Sequence, residues 1–267
     1  MKIESATIEI RPRKTTEMID LAALFYRRHF ALFAGLLAVL GVPCVLLAVA
    51  VHAVTGLWWT ALAAFWLLSP LPCGAVVLAA SRLVFGSSPS VRETLSLYRS
   101  LWLGLLLRRL VHNALFALLA PIVVGFTLRL RWAFTPMIVL LERLSGLPLG
   151  IRRRGLSLRG GSSGLSMDLA SGLVWLAMLL ALGSLLDLFV SDLLVLWSND
   201  GMFATDALHD PLRLGLWMLC GLIVLPIKTL SWFFLYIDAR IRGEGWDIEL
   251  GLETAARRIP SREKAVA

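Results

Sequence analysis

The chain has 267 residues, of which 58% are hydrophobic and 16% charged, and its mean hydropathy is +0.79. An ordinary soluble domain is roughly 45–50% apolar and about 25% charged. Here the excess lies in long runs, which excludes a soluble globular protein, a disordered tail and a collagen-like fibre. The net charge of +8 does not point to nucleic acid, because the arginines flank apolar segments. Anionic headgroups and control of orientation account for it. The expected fold class is an all-α, polytopic helical membrane protein with four to six membrane-embedded helices and interfacial amphipathic helices.

Met1 to His29 is a polar lead with mixed charge, and residues 1–29 form a first, cytoplasmic unit. No cleavable signal peptide is read from it, so insertion is expected to use the first membrane helix. Thr15 or Thr16 is a candidate cap, with Glu17 and Asp20 in the first turn. Ile19, Ala22, Ala23 and Tyr26 share a face at helical spacing, which predicts an amphipathic helix lying on the membrane.

The membrane domain is expected over 30–237. Its first span is Phe30 to Val51 and its second Leu57 to Ala80, each about 20 residues at 1.5 Å per residue. The short, uncharged His52–Gly56 joins them as a tight hairpin. Pro70 and Pro72 interrupt the second span and free carbonyls that neighbours must satisfy. Ser90 and Glu93 form a capping box that opens another surface helix.

Leu101 to Leu141 is apolar but holds Arg108, Arg109, Arg129 and Arg131. An arginine at the bilayer centre costs about 2.5–3.5 kcal/mol. Three solutions are open: a span from Leu110 to Leu128 with a re-entrant return through Pro136, a bent hairpin around Pro121, or an interfacial segment. Glu142 to Met167 is basic and turn-rich, with Arg152-Arg153-Arg154 and a flexible turn at Gly160 to Gly164. Spans follow at Leu169–Val190 and Leu212–Ile237, separated by an acidic loop. The tail 238–267 is hydrophilic, and its helix is expected to run on into water before glycines break it.

The positive-inside rule places both termini and the basic segments in the cytoplasm, which makes the span count four or six. Six of the ten tryptophans, Trp58, Trp59, Trp102, Trp132, Trp197 and Trp246, lie at ends of apolar runs and read as interfacial anchors. Three isolated cysteines and four scattered histidines make no disulfide framework and no metal motif. Asp187 and Lys228 invite an intramembrane ion pair, but each is about 24–27 Å along its helix from opposite ends, which places them near opposite surfaces. No catalytic constellation is present, and no enzyme activity, cofactor or nucleic-acid partner is expected.

Ile10-Arg11-Pro12-Arg13 with Tyr26-Arg27-Arg28-His29 resembles the opening of a bacterial membrane family. Arg131 to Gly146, Arg152-Arg153-Arg154 and Arg159-Gly160 are similar to its central signature, and Tyr236 to Leu250 to its closing motif. The relatives are YciC-like proteins, the membrane domain attached to some glycerophosphodiester phosphodiesterases, and membrane proteins encoded beside MoxR-type ATPases and transglutaminase-linked proteins. The resemblance implies a non-enzymatic accessory or scaffold subunit of an envelope complex in the bacterial inner membrane. The alternative is a small transporter or lipid-handling protein with a site near 101–141, built on broken helices. Arg108, Arg109, Arg129, Arg131, Arg152, Arg153 and Arg154 are the candidate contacts for anionic phospholipid or partner. Asp238, Arg240, Arg242, Glu244, Trp246 and Asp247 are the candidate docking segment for other membrane proteins.

Overall fold

The computed structural model of the protein describes residues 13–119, 132–159, 161–197 and 211–244. All regular structure among them is helical. In order, the helices are α1 (Thr15–Arg28), α2 (Phe30–Thr55), α3 (Trp58–Val84), α4 (Val91–Tyr98) and α5 (Trp102–Leu119). Then come α6 (Thr135–Met137, continued by a π-turn Ile138–Glu142), α7 (Gly146–Arg159), α8 (Gly161–Trp197) and α9 (Pro211–Glu244). Four helices among the described residues are long and apolar enough to cross a bilayer: α2, α3, Gly164–Asp192 of α8 and Pro211–Gly243 of α9. The protein is an all-α helical membrane protein. Each span is longer than its apolar run, because the helix continues past the hydrocarbon edge.

The prolines of α2 and α3 are each met by a nearby group or backbone adjustment. Pro70 cannot donate to the Trp66 carbonyl, and the Ser69 hydroxyl takes that place at 2.9 Å. Pro72 frees the Leu68 carbonyl, which faces the Cys44 thiol of α2 at 3.9 Å. Before Pro43, α2 widens into a π-turn over Leu37–Gly41. In α9, Pro226 lies inside the helix, and close to it the Tyr26 hydroxyl of α1 donates to the Ile223 carbonyl at 2.9 Å. Burial pushes the Tyr26 phenol up to about 12. The α2–α3 hairpin closes on Gly56, whose φ of 68° is the left-handed conformation that glycine tolerates best.

α9 is the pillar. At 34 residues it is about 51 Å long, well beyond a hydrocarbon layer of about 30 Å. Its C-terminal half, including Phe233, Leu235 and Tyr236, is wrapped in the main core by α1, α3, α6 and α7. The expectation that this stretch runs into water is therefore corrected: it runs into protein. The apolar face of α1 is covered by protein: Met18, Ile19, Ala22, Phe25 and Tyr26 are buried, and its contacts are with α9, α8 and α2. Ala23, expected on that face, is exposed. The cap is Lys14 without a side-chain bond, since Thr15 instead meets Ser166 at 3.1 Å.

Two further expectations change. The segment after Glu142 is not a run of turns. Leu149 and Leu156, seven residues apart, share one buried face and hold α7 as a helix. Gly161 to Gly164 are the first turn of α8, not a flexible turn. The Ser90 cap holds, its hydroxyl accepting from Glu93 N–H at 3.1 Å, but the Glu93 carboxylate pairs with Arg82. Of 101–141, α5 is a helix that is not among the four candidate spans, and residues 120–131 with Pro121, Arg129 and Arg131 lie outside the described residues.

Candidate functional site

α8 and α9 pack antiparallel, and side chains set their register from end to end. Asp168 faces Lys228 at 4.0 Å. Trp175 Nε1 donates to the Gly221 carbonyl at 3.2 Å. Gly183 lies against the Trp217 ring, and Asp187 faces Arg213 at 3.5 Å. The expected separation of Asp187 and Lys228 is what the structure has, each with its own partner. The two acids are about 28 Å apart along α8 and the two cations about 22 Å apart along α9. Each cationic stem thus reaches outward from the bilayer centre to meet its acid, as snorkelling requires. The pairs bracket one hydrocarbon thickness.

At the Asp168 end, a two-lobed cleft opens between α3, α5, α6, α7 and α9. The inner lobe, about 200 Å³, holds Arg109, Lys228, Asp168, His112, Asn113 and Thr229. Its deep end is walled by Trp66 and Phe116, whose ring centroids are 6.2 Å apart. The outer lobe, about 390 Å³, shares Arg109 and His112 and adds Arg108, Arg153, Trp132 and Thr135. The outer lobe's volume suits a small-molecule or headgroup site, typically about 300–1,000 Å³. Gly74 lets the walls close: a Cβ there would stand 2.5 Å from the Tyr98 hydroxyl and 2.7 Å from Leu105. Burial raises the Tyr98 phenol's pKa.

Trp132 is part of this cleft and not an interfacial anchor. His112 stacks on it at 5.3 Å and 24°, and the Arg153 guanidinium lies 4.6 Å from its ring centre. Partial burial works against the Arg153 charge, so an anion beside it would be favoured. Trp58, Trp59 and Trp102 are exposed at helix starts, as anchors are. Trp246 lies outside the described residues.

The arginine triplet does not act as one patch. Successive helical residues turn by about 100°. Arg152 points to Glu142, donating from Nε at 2.8 Å and Nη2 at 3.1 Å. Arg153 points into the cleft and Arg154 is exposed. Glu142 is set by the π-turn of α6 and by Arg143, whose φ of 54° ends it. Its carboxylate also accepts from the Tyr236 hydroxyl at 2.6 Å and lies 3.9 Å from Arg240.

Within the candidate docking segment, Asp238 is internal and Arg242 is exposed. Asp238 is buried and accepts from the Arg13 backbone N–H at 3.0 Å and from Arg242 Nε at 2.8 Å. Arg242 donates to the Arg13 carbonyl at 3.1 Å, so the pair clasps the lead to α9. Glu244 ends α9, and Asp247 lies outside the described residues. Lys228, Asp168 and Trp132 were not singled out by sequence as cleft residues. A charged residue near each end of an apolar span was the only available signal.

Among the described residues no group of three His, Cys, Asp or Glu comes together to hold a metal ion. Comparisons with family models, curated proteins and solved structures gave no match.

Proposed function

We propose that the protein is a lipid-handling protein of the bacterial inner membrane, with cytoplasmic termini, and that it holds an amphiphile in the two-lobed cleft without catalysing a reaction. The observation that carries this is the cleft itself. It brings Arg109 and Lys228 together with Trp66 and Phe116 at the end of the spans that bears the basic segments. A cationic pocket with an apolar floor suits an anionic headgroup and its chain. The positive-inside asymmetry supports a cytoplasmic-leaflet site. The test is lipid extraction from the protein purified in mild detergent. Wild type should retain about one phospholipid per chain, and Ala133→Trp, which fills the cleft, should retain none. Equal retention by both would sink the reading.

A second reading, an accessory or scaffold subunit, draws on the resemblance to YciC-like and related membrane domains. It is favoured by α8, of whose most apolar window only 6% is buried, against 78% in α9. A protein partner could cover that face as well as lipid could. Gentle extraction followed by pull-down should then recover a membrane partner in stoichiometric amount, and a clean monomer would count against it.

A further inference from the structure

We propose that the outer lobe is the site of a phospholipid headgroup that carries two negative charges, with an acyl chain lying along α5. This rests on the lipid-handling reading and names its ligand class. Arg108, Arg109 and Arg153 line the lobe, and no Asp or Glu does. The inner lobe is different, because the Asp168 carboxylate lies in it with Arg109 and Lys228. No acid pairs with Arg108 or Arg153 among the described residues. A guanidinium stacked on a ring keeps its in-plane N–H donors for another acceptor, and Arg153 is stacked on Trp132. The Thr135 Oγ1 in the same wall is buried with no hydrogen-bond partner. A buried hydroxyl without a partner is costly, and a phosphate oxygen would satisfy it.

The chain has a path too. α5 starts beside α4 and descends until Phe116 meets Trp66 of α3. Leu103, Leu107 and Val111 are 54–55% exposed at spacings of four, one stripe running down α5 from the lobe. Arg108 and Arg109 are next to that stripe at the rim, so headgroup and chain meet at one place. Arg108 and Arg153, with no acid paired to either among the described residues, supply two positive charges, which a doubly charged headgroup balances and a singly charged one leaves in excess by one. The shared chemistry is therefore a phosphomonoester, as in phosphatidate, or a pair of phosphodiesters, as in cardiolipin.

The test is native mass spectrometry of the full chain in detergent micelles with phosphatidate, cardiolipin, phosphatidylglycerol or phosphatidylethanolamine. Phosphatidate or cardiolipin should bind about tenfold tighter than phosphatidylglycerol, the effect of one added charge-assisted contact. The preferred arm of the two identifies the source. Arg108→Gln with Arg153→Gln should reduce the preference to within about twofold, while size-exclusion behaviour stays that of wild type. Arg154→Gln, on the outer side of α7, should leave it intact. Binding that ignores headgroup charge would overturn this inference and leave the lipid-handling reading standing, whereas binding of no phospholipid at all would end both. Should the double variant misfold, the single Arg153→Gln must lower the preference at least threefold. Displacement of the lipid by an equal concentration of inorganic phosphate would overturn the lipid source.

Discussion

The two ends of the α8–α9 hairpin carry the same chemistry in different surroundings. Both have an acid on α8 facing a cation on α9. At the Asp187–Arg213 end, the adjoining cavity of about 400 Å³ is walled by Leu62, Phe65, Leu179, Trp217 and Met218, and among the described residues Asp187 is the charged group that lines it. The pair there is a boundary marker. At the Asp168–Lys228 end, α5 adds Arg109 and the cleft opens. An ion pair at a membrane boundary is structural by default, and a further cation beside an open cleft is what distinguishes a site. It also matches the packing, since the main core lies at the cleft end and a smaller one, around Val45, Ala48 and Met218, at the other.

The largest expected effects test that difference in packing. Phe233→Ala, at a fully buried position of α9, should lower stability by about 3–5 kcal/mol through lost burial and a cavity. Phe189→Ala, on the exposed face of α8, should change it by less than about 0.5 kcal/mol. Chemical unfolding in mixed micelles measures both, and equal losses would erase the contrast. Next, Gly74→Ala should cost about 1–3 kcal/mol, because its Cβ would meet Tyr98 and Leu105. Gly172→Ala should be close to neutral, its nearest side-chain atom being Lys228 Nζ at 3.8 Å. The smallest effect separates the two ion pairs. Asp187→Asn should cost up to about 1 kcal/mol of stability and leave lipid binding alone. Asp168→Asn removes the one carboxylate of the inner lobe and should tighten anionic lipid binding about threefold. The reverse pattern would assign the site to the wrong end.

The spans were legible because hydrocarbon thickness dictates a run of about 20 apolar residues, and nothing soluble needs one. The caps and kinks were legible for the same kind of reason: Ser90, Gly56, Pro70 and Pro72 act on their own neighbours. What the span backbones meet across helices was not legible. Tyr26 reaches Ile223 from 197 residues away, a contact that packing alone creates. The arginine triplet misled because a linear run suggests one patch. Once Leu149 and Leu156 hold α7 as a helix, the three side chains diverge. Arg108 and Arg109 were picked out by their cost in the bilayer, and both line the cleft. Their partners in it, Trp132 and Arg153, come from segments that only the fold brings together.

On the proposed reading this cationic cleft holds an anionic phospholipid headgroup with its chain on α5. Photocrosslinking in bilayer nanodiscs, with a diazirine on the acyl chain near the headgroup, decides it. A doubly charged lipid should label the Leu103–Leu107–Val111 stripe well above the outer face of α8, while phosphatidylethanolamine should label the two in proportion to their exposure. The same labelling pattern for both lipids would rule out a charge-selective site beside α5.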